Sequence, residues 1–125
     1  MVVVDTSSMI AYLEGSAGRD VEAVQAALEA EQVALAPVVL TELLSDPKLP
    51  KAIAKHFCTL PLLPMGEGYW ERAARLRALV LRRRHKARLA DALIAQTCID
   101  HRVPLITRDR DFRHYISAGL RLTSS

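Results

Sequence analysis

Short apolar runs alternate with helical stripes along the chain, and this alternation sets the elements. Val2 to Val4 is a continuous apolar run, as expected for a strand buried on both faces. Ser7 or Ser8 can cap a short helix that carries Met9, Ile10 and Leu13 and closes at Gly15. Asp20 then caps a helix with Val21, Val24, Ala27 and Leu28 on one face. Val33 to Ala36 reads as a second strand, and Pro37 suits the first turn of the helix that follows, where its missing N–H has no partner to lose. That helix runs through Ser45, carries Glu42 and ends at Asp46-Pro47.

The second half repeats the alternation. A shorter helix is expected around Lys48 to Lys55, and Thr59 to Leu63 reads as a third strand, placed at a sheet edge by Pro61. Tyr69 to about Arg84 is the longest helix, with Trp70, Ala73, Ala74, Arg77 and Val80 at spaced positions. A helix over Leu89 to His101, a strand over Pro104 to Thr107, a short helix over 111–117 and a last strand over Leu120 to Leu122 complete the series. Neither repeats nor a low-complexity linker interrupt it, so 1–125 reads as one domain. Strands alternating with helices predict an α/β fold with a parallel sheet covered on both faces. In such sheets polar sites collect beyond the carboxyl ends of the strands, where strand order reverses, and Asp5 stands at the end of the first strand.

Composition adds limits. The chain has 125 residues, half of them hydrophobic and a quarter charged, enough to bury a real core without staples. No apolar run approaches the roughly 20 residues that span a bilayer, and no basic leader with an apolar stretch opens the sequence; a cytoplasmic location without membrane partners is the expectation. Cys58 and Cys98 lack CxxC spacing and read as buried thiols. The net charge of +3 is compatible with a polyanionic partner and says little alone.

Asp5 has candidate companions. Glu42 lies in "VVLTELL", Asp91 in "LADALIAQ", and Asp109 and Asp111 in "LITRDRDF", each a carboxylate beside residues that should be buried. Singly, each has an ordinary use: Asp91 as a helix cap, Glu42 on a solvent face, Asp109 as a turn residue. Together they fit one hypothesis better. Carboxylates within about 6 Å raise one another's pKa unless a cation neutralises them. Oxygen-only ligands suit Mg²⁺ or Mn²⁺, and the chemistry that follows is phosphodiester hydrolysis. The sequence contains no GxxxxGK[ST] or GxGxxG, and His56, His85, His101 and His114 are scattered without metal-ligand spacing.

The segments "VVVDTSSMIAYLEG", "LTELL", "LADALIAQTC" and "VPLITRDRDF" resemble, in order, the successive motifs of PIN-domain ribonucleases, and most closely the VapC-type toxins of prokaryotic toxin–antitoxin pairs. The likeness runs from residue 2 to about residue 115. It implies a three-layer α/β/α fold with a central parallel sheet and a Mg²⁺- or Mn²⁺-dependent endoribonuclease site. Asp5, Glu42, Asp91 and Asp109 fall on the family's acidic positions. Thr6 or Ser7, and Thr107, fall where the family often has a hydroxyl that helps position metal, water or an acid. The resemblance also implies a small antitoxin that masks the site with a basic side chain, and a homodimer. Two departures stand out: "DHRVP" precedes the strand at 104–107 where relatives often have glycine, and Asp109 and Asp111 compete for the fourth acidic position.

RNA needs positive charge near a negative site. "RRRHKAR" gathers Arg82, Arg83, Arg84, Lys86 and Arg88 just before Asp91, and Arg108 and Arg110 flank Asp109. The basic run could equally complement the dipole of its own helix. Tyr69 and Trp70 read as core or dimer packing. The rival readings are a PIN-like module that binds RNA or protein without cleaving, a phospho-acceptor domain, which wants paired acids after the first strand, and a purely structural subunit.

Overall fold

A computed structural model describes residues 1–123. The valine run forms β1 (Val2–Val4), and Val3 and Val4 are fully buried. It lies between β2 (Val33–Ala34) and β3 (Leu105–Ile106), and β3 pairs outward with β4 (Leu122–Thr123). All three pairings are parallel, with Val3 opposite both Ala34 and Leu105, and the order is β2-β1-β3-β4. The helices α1 (Thr6–Leu13), α2 (Arg19–Glu29), α3 (Pro37–Leu44), α4 (Lys51–Phe57), α5 (Tyr69–Arg82) and α6 (Leu89–His101), with a 3₁₀ helix over Arg110–Ala118, flank this sheet in a three-layer α/β/α arrangement. None of the described helices is long and apolar enough to cross a membrane.

Parallel strands need crossovers, and here the chain leaves β1 toward β2 on one side and returns to β3 on the other. The carboxyl ends of β1 and β3 therefore bound the switch point of the sheet, where ligand sites form in open α/β folds. The helix α6 ends the return leg and feeds β3. Ala92, Ile94, Ala95, Gln96, Thr97 and Cys98 are all buried in it, so it is enclosed nearly all round rather than striped.

Several expectations change. The strand over 59–63 shrinks to one bridge between Leu35 and Leu62, held by Leu35 N–H donating to Pro61 O and Leu63 N–H to Leu35 O. It does lie at the sheet edge, where Pro61 can offer only its carbonyl. In α1 the inward positions are Ser8, Met9 and Ala11, while Ile10 and Leu13 are exposed. Asp5, not Ser7 or Ser8, occupies the cap position of α1, and Gly18, not Asp20, that of α2. Trp70 is 59% exposed beside a buried Tyr69, and Cys58 is exposed while Cys98 is buried. In the 3₁₀ helix Phe112 and Tyr115 are buried but Ile116 faces out, because three residues per turn align positions 112 and 115 and rotate 116 away. Arg102 ends α6 in the left-handed conformation (φ 55°), the place in "DHRVP" where a glycine is the unstrained choice.

Candidate active site

Asp5 leaves β1 at the switch point. Its N–H donates to Ile106 O at 2.9 Å, so sheet pairing itself sets its side chain beside the exit of β3. Only 4% of the residue is exposed. Ser7 Oγ donates to its Oδ2 at 2.7 Å and Thr107 Oγ1 to the same oxygen at 2.9 Å. The Thr107 oxygen in turn accepts from Asp109 N–H at 3.0 Å, and Asp109 Oδ1 accepts from Asp111 N–H at 2.9 Å. A single hydrogen-bonded line thus runs from β1 through the β3 exit to the 3₁₀ helix.

Two helices bring the remaining acids. Glu42 stands on the exposed side of α3, and Thr6 Oγ1 donates to its Oε1 at 2.8 Å. Asp91 lies half-buried in the first turn of α6. Burial, with the negative charges of Asp5, Asp109 and Glu42, pushes its carboxyl up to about 6, against some relief from Arg88. Burial also raises Asp5, opposed by its Ser7 and Thr107 hydrogen bonds and reinforced by Asp109. Asp5, Glu42, Asp91 and Asp109 therefore share one electrostatic neighbourhood. Among the described residues, no Lys, Arg or His forms a salt bridge with any of them.

The donor set fits a hard divalent cation by its chemistry: carboxylate oxygens supported by hydroxyls, with negative charge uncompensated. No three acidic, His or Cys side chains among the described residues converge into a ready-made cage.

The two candidates for the fourth acidic position differ in their surroundings. Asp109 acts on Asp5, Asp91 and Tyr115, whereas Asp111 acts on Tyr115 and His114 and on neither Asp5 nor Asp91. Asp111 lies in the first turn of the 3₁₀ helix, and Asp109 is the capping side chain that accepts its N–H. Tyr115 was not a sequence candidate. Its ring is fully buried, its hydroxyl has no hydrogen-bond partner, and burial with nearby Asp91 pushes it up to about 12. Only the 3₁₀ register, which stacks 109, 112 and 115, would have revealed it.

The basic candidates separate. Arg82, Arg83, Arg84, Lys86 and Arg88 are all exposed around the end of α5 and the loop before α6. Arg83 donates to Ser117 Oγ at 2.9 Å, and His85 stacks on His114 with ring centres 3.9 Å apart, tying this loop to the 3₁₀ helix. Arg110 is exposed and unpaired among the described residues. Arg108 is engaged: its Nε donates to Asp20 Oδ2 at 2.8 Å and its Nη2 to Asp20 Oδ1 and Ala17 O, both at 3.1 Å.

The PIN domain family model matches residues 2–116, and the chain belongs to that family. No curated protein sequence matches it. Among solved structures it is similar to FitAB bound to the IR36 DNA fragment, at 21% identity and a TM-score of 0.74, covering 98% of this chain and 93% of that one. FitAcB from Neisseria gonorrhoeae is similar at 21% identity and 0.69, covering 98% and 96%. VapBC-5 from Mycobacterium tuberculosis, a member of the VapBC family of toxin–antitoxin systems, is similar at 24% identity and 0.65, covering 98% and 97%. At these identities the likeness is one of fold.

Proposed function

We propose that the chain is a Mg²⁺- or Mn²⁺-dependent endoribonuclease and the toxin member of a toxin–antitoxin pair, acting in the cytoplasm. The observation that carries the reading is the gathering of acids at the switch point, Asp5 and Asp109 joined through Thr107 and Asp91 beside them with Glu42, none of them salt-bridged to a cation among the described residues. Membership of the PIN family supports nuclease chemistry, and the fold shared with a VapBC protein supports the toxin assignment.

In this reading Asp5, Asp91, Asp109 and Glu42 hold the cation. Such an ion supplies an acidified water and neutralises charge on the phosphate. Ser7 and Thr107 fix the rotamer of Asp5, and Thr6 steadies Glu42. Asp91, pushed up to about 6 in the metal-free chain, gives up its proton on binding the cation. The exposed run Arg82, Arg83, Arg84, Lys86 and Arg88, with Arg110, contacts RNA phosphates. Arg108 contributes less than its position suggests, since Asp20 holds it.

A groove of about 310 Å³ beside Glu42, lined by Ile10, Leu13, Leu49 and Ile53 and edged by Glu14 and Asp46, supports docking of an antitoxin segment with apolar and basic side chains. The exposed Trp70 and Met65 beside Val38 and Leu93 support a homodimer contact.

The test is cleavage by purified, antitoxin-free protein. Structured RNA should be cut with Mg²⁺ or Mn²⁺ and spared after EDTA, with sequenced RNA ends defining the target. Undiminished cleavage in EDTA rejects the mechanism, and Mn²⁺ binding without cleavage favours a binding module.

A further inference from the structure

Asp20 is almost wholly buried, 7% exposed, in the first turn of α2, although it makes no cap there. Its oxygens are fully used. Ser8 Oγ, buried in α1, donates to Oδ2 at 2.9 Å, and the Arg108 guanidinium grips both oxygens as a fork. The remaining reach of that guanidinium goes to Ala17 O in the α1–α2 loop. A methyl group added to Gly18 would stand 2.6 Å from Asp20 Oδ1 and 3.1 Å from Arg108 Nη2, so the bare backbone there makes room for the pair.

The fork closes across 88 residues of sequence and joins α1, α2 and the exit of β3. What it grips is informative. Arg108 lies between Thr107, which donates to Asp5, and Asp109, which faces Asp5 and Asp91. The segment is otherwise irregular, since β3 ends at Ile106 and the 3₁₀ helix begins at Arg110. Buried Ile106 and Phe112 anchor its two ends, and between them the planar fork on a buried carboxylate ties the segment to α1 and α2.

We infer that the Ser8–Asp20–Arg108 network is a positioning device for the acidic site, holding Thr107 and Asp109 in the placement that Asp5 requires. The inference rests on the proposed metal-dependent reading. Outer partners that orient metal ligands typically carry roughly 10–100-fold in affinity or activity. Lysine keeps the charge of Arg108 but loses the fork, so a device that depends on two parallel bonds is not restored by it.

The experiment compares wild type, Asp20→Asn, Arg108→Gln, Arg108→Lys and, as a control, Arg72→Gln. The control breaks the other ion pair, Arg72–Asp100, which lies away from the acids. Each is assayed well below its own Tm, with folding checked by circular dichroism, for Mn²⁺ affinity by calorimetry and for RNA cleavage. The expected result is a roughly tenfold or greater loss of Mn²⁺ affinity and of kcat in the Asp20 and Arg108 variants. Arg108→Lys should fall with them, KM for RNA should stay near wild type, and Arg72→Gln should match wild type in both assays. If Asp20→Asn does not fold, the Arg108 variants, whose side chain is partly in solvent, decide alone. Wild-type Mn²⁺ affinity in folded variants, or equal loss in Arg72→Gln, overturns the inference while leaving the function intact. A wild-type chain that binds no Mn²⁺ and cuts no RNA overturns the function and the inference together.

Discussion

Asp5 and Asp20 are the same residue type, nearly equally buried at 4% and 7% exposed, and each accepts hydroxyl hydrogen bonds from neighbouring residues. Their charges are treated in opposite ways. The Arg108 guanidinium holds Asp20 below the ordinary carboxylate value, whereas burial raises Asp5, which gathers further acids instead of a cation. A buried ion that finds its partner inside the chain is complete. One that finds only like charges makes the folded state depend on something from outside. The difference separates an acid with an internal partner from one without, and it can be attacked from both sides.

The largest expected effect is on the uncompensated acids. Asp5→Asn and Asp91→Asn keep shape and remove charge, so RNA cleavage with Mg²⁺ should fall by at least the roughly 100-fold that outer partners of metal ligands can carry. Both should fold, with a metal-free Tm at or above wild type because repulsion is relieved. Retained cleavage at limiting Mg²⁺ in either variant removes that residue from the site. Asp20→Asn should differ from them in stability: beside the roughly tenfold loss of activity expected of a positioning residue, it should lower the metal-free Tm, because it weakens the Arg108 pair.

The same contrast appears in pH dependence. Between 3.8 and about 6 the folded metal-free chain keeps a proton on Asp91 that the unfolded chain has released, so stability should fall as pH rises through that window. Asp20 has the reverse sign: its contribution is present above 3.8 and is lost as pH falls through its lowered folded value. Denaturant melts from pH 3 to 7 should show the Asp91 slope, and Asp91→Asn should flatten it; saturating Mn²⁺ should invert it.

Asp109 and Asp111 sharpen the comparison within one turn. Asn caps as well as Asp, so Asp109→Asn should leave stability nearly unchanged while cutting cleavage roughly tenfold or more. Asp111→Asn should change both little. A larger catalytic loss at Asp111 would reverse the assignment.

Replacing Arg82, Arg83 and Arg84 by Ala should weaken RNA binding and lower the steepness of its salt dependence by up to about 0.7 for each phosphate no longer neutralised. An unchanged slope would leave the helix dipole as a sufficient reason for the run. The smallest effect is expected at Tyr115→Phe. Deleting a buried hydroxyl without a partner should be neutral or stabilise by up to about 1 kcal/mol in thermal melts, and a clear destabilisation would mean that water or an ion bonds it.

Much of this was legible in the sequence, for identifiable reasons. An unbroken valine run reports a doubly buried central strand, and an acid directly after it falls at the carboxyl end of that strand wherever the sheet is parallel. Glu42 and Asp91 could be placed on their helices because the surrounding leucines and alanines have helical period. What escaped were effects of distance and of local geometry. Asp20 looked like a cap because its partner Arg108 is 88 residues away, and Arg108 looked like an RNA contact for the same reason. The edge strand at 59–63 was overcounted because apolar residues near a proline pair at one position as readily as along a run. Ile116 faces out because the segment winds with three residues per turn, where an α-helical period would carry it inward with Phe112 and Tyr115.

The central claim is that the four acids at the switch point await a divalent cation, and Mn²⁺ calorimetry on metal-free protein at pH 6 tests it most directly. Saturable binding with proton release is expected, since burial and the neighbouring acids push Asp91 up to about 6 and the ion displaces its proton to the buffer. Loss of that binding in Asp5→Asn and its retention in Arg72→Gln are expected as well. Absence of saturable binding in the wild type, or binding undiminished in Asp5→Asn, would contradict the claim.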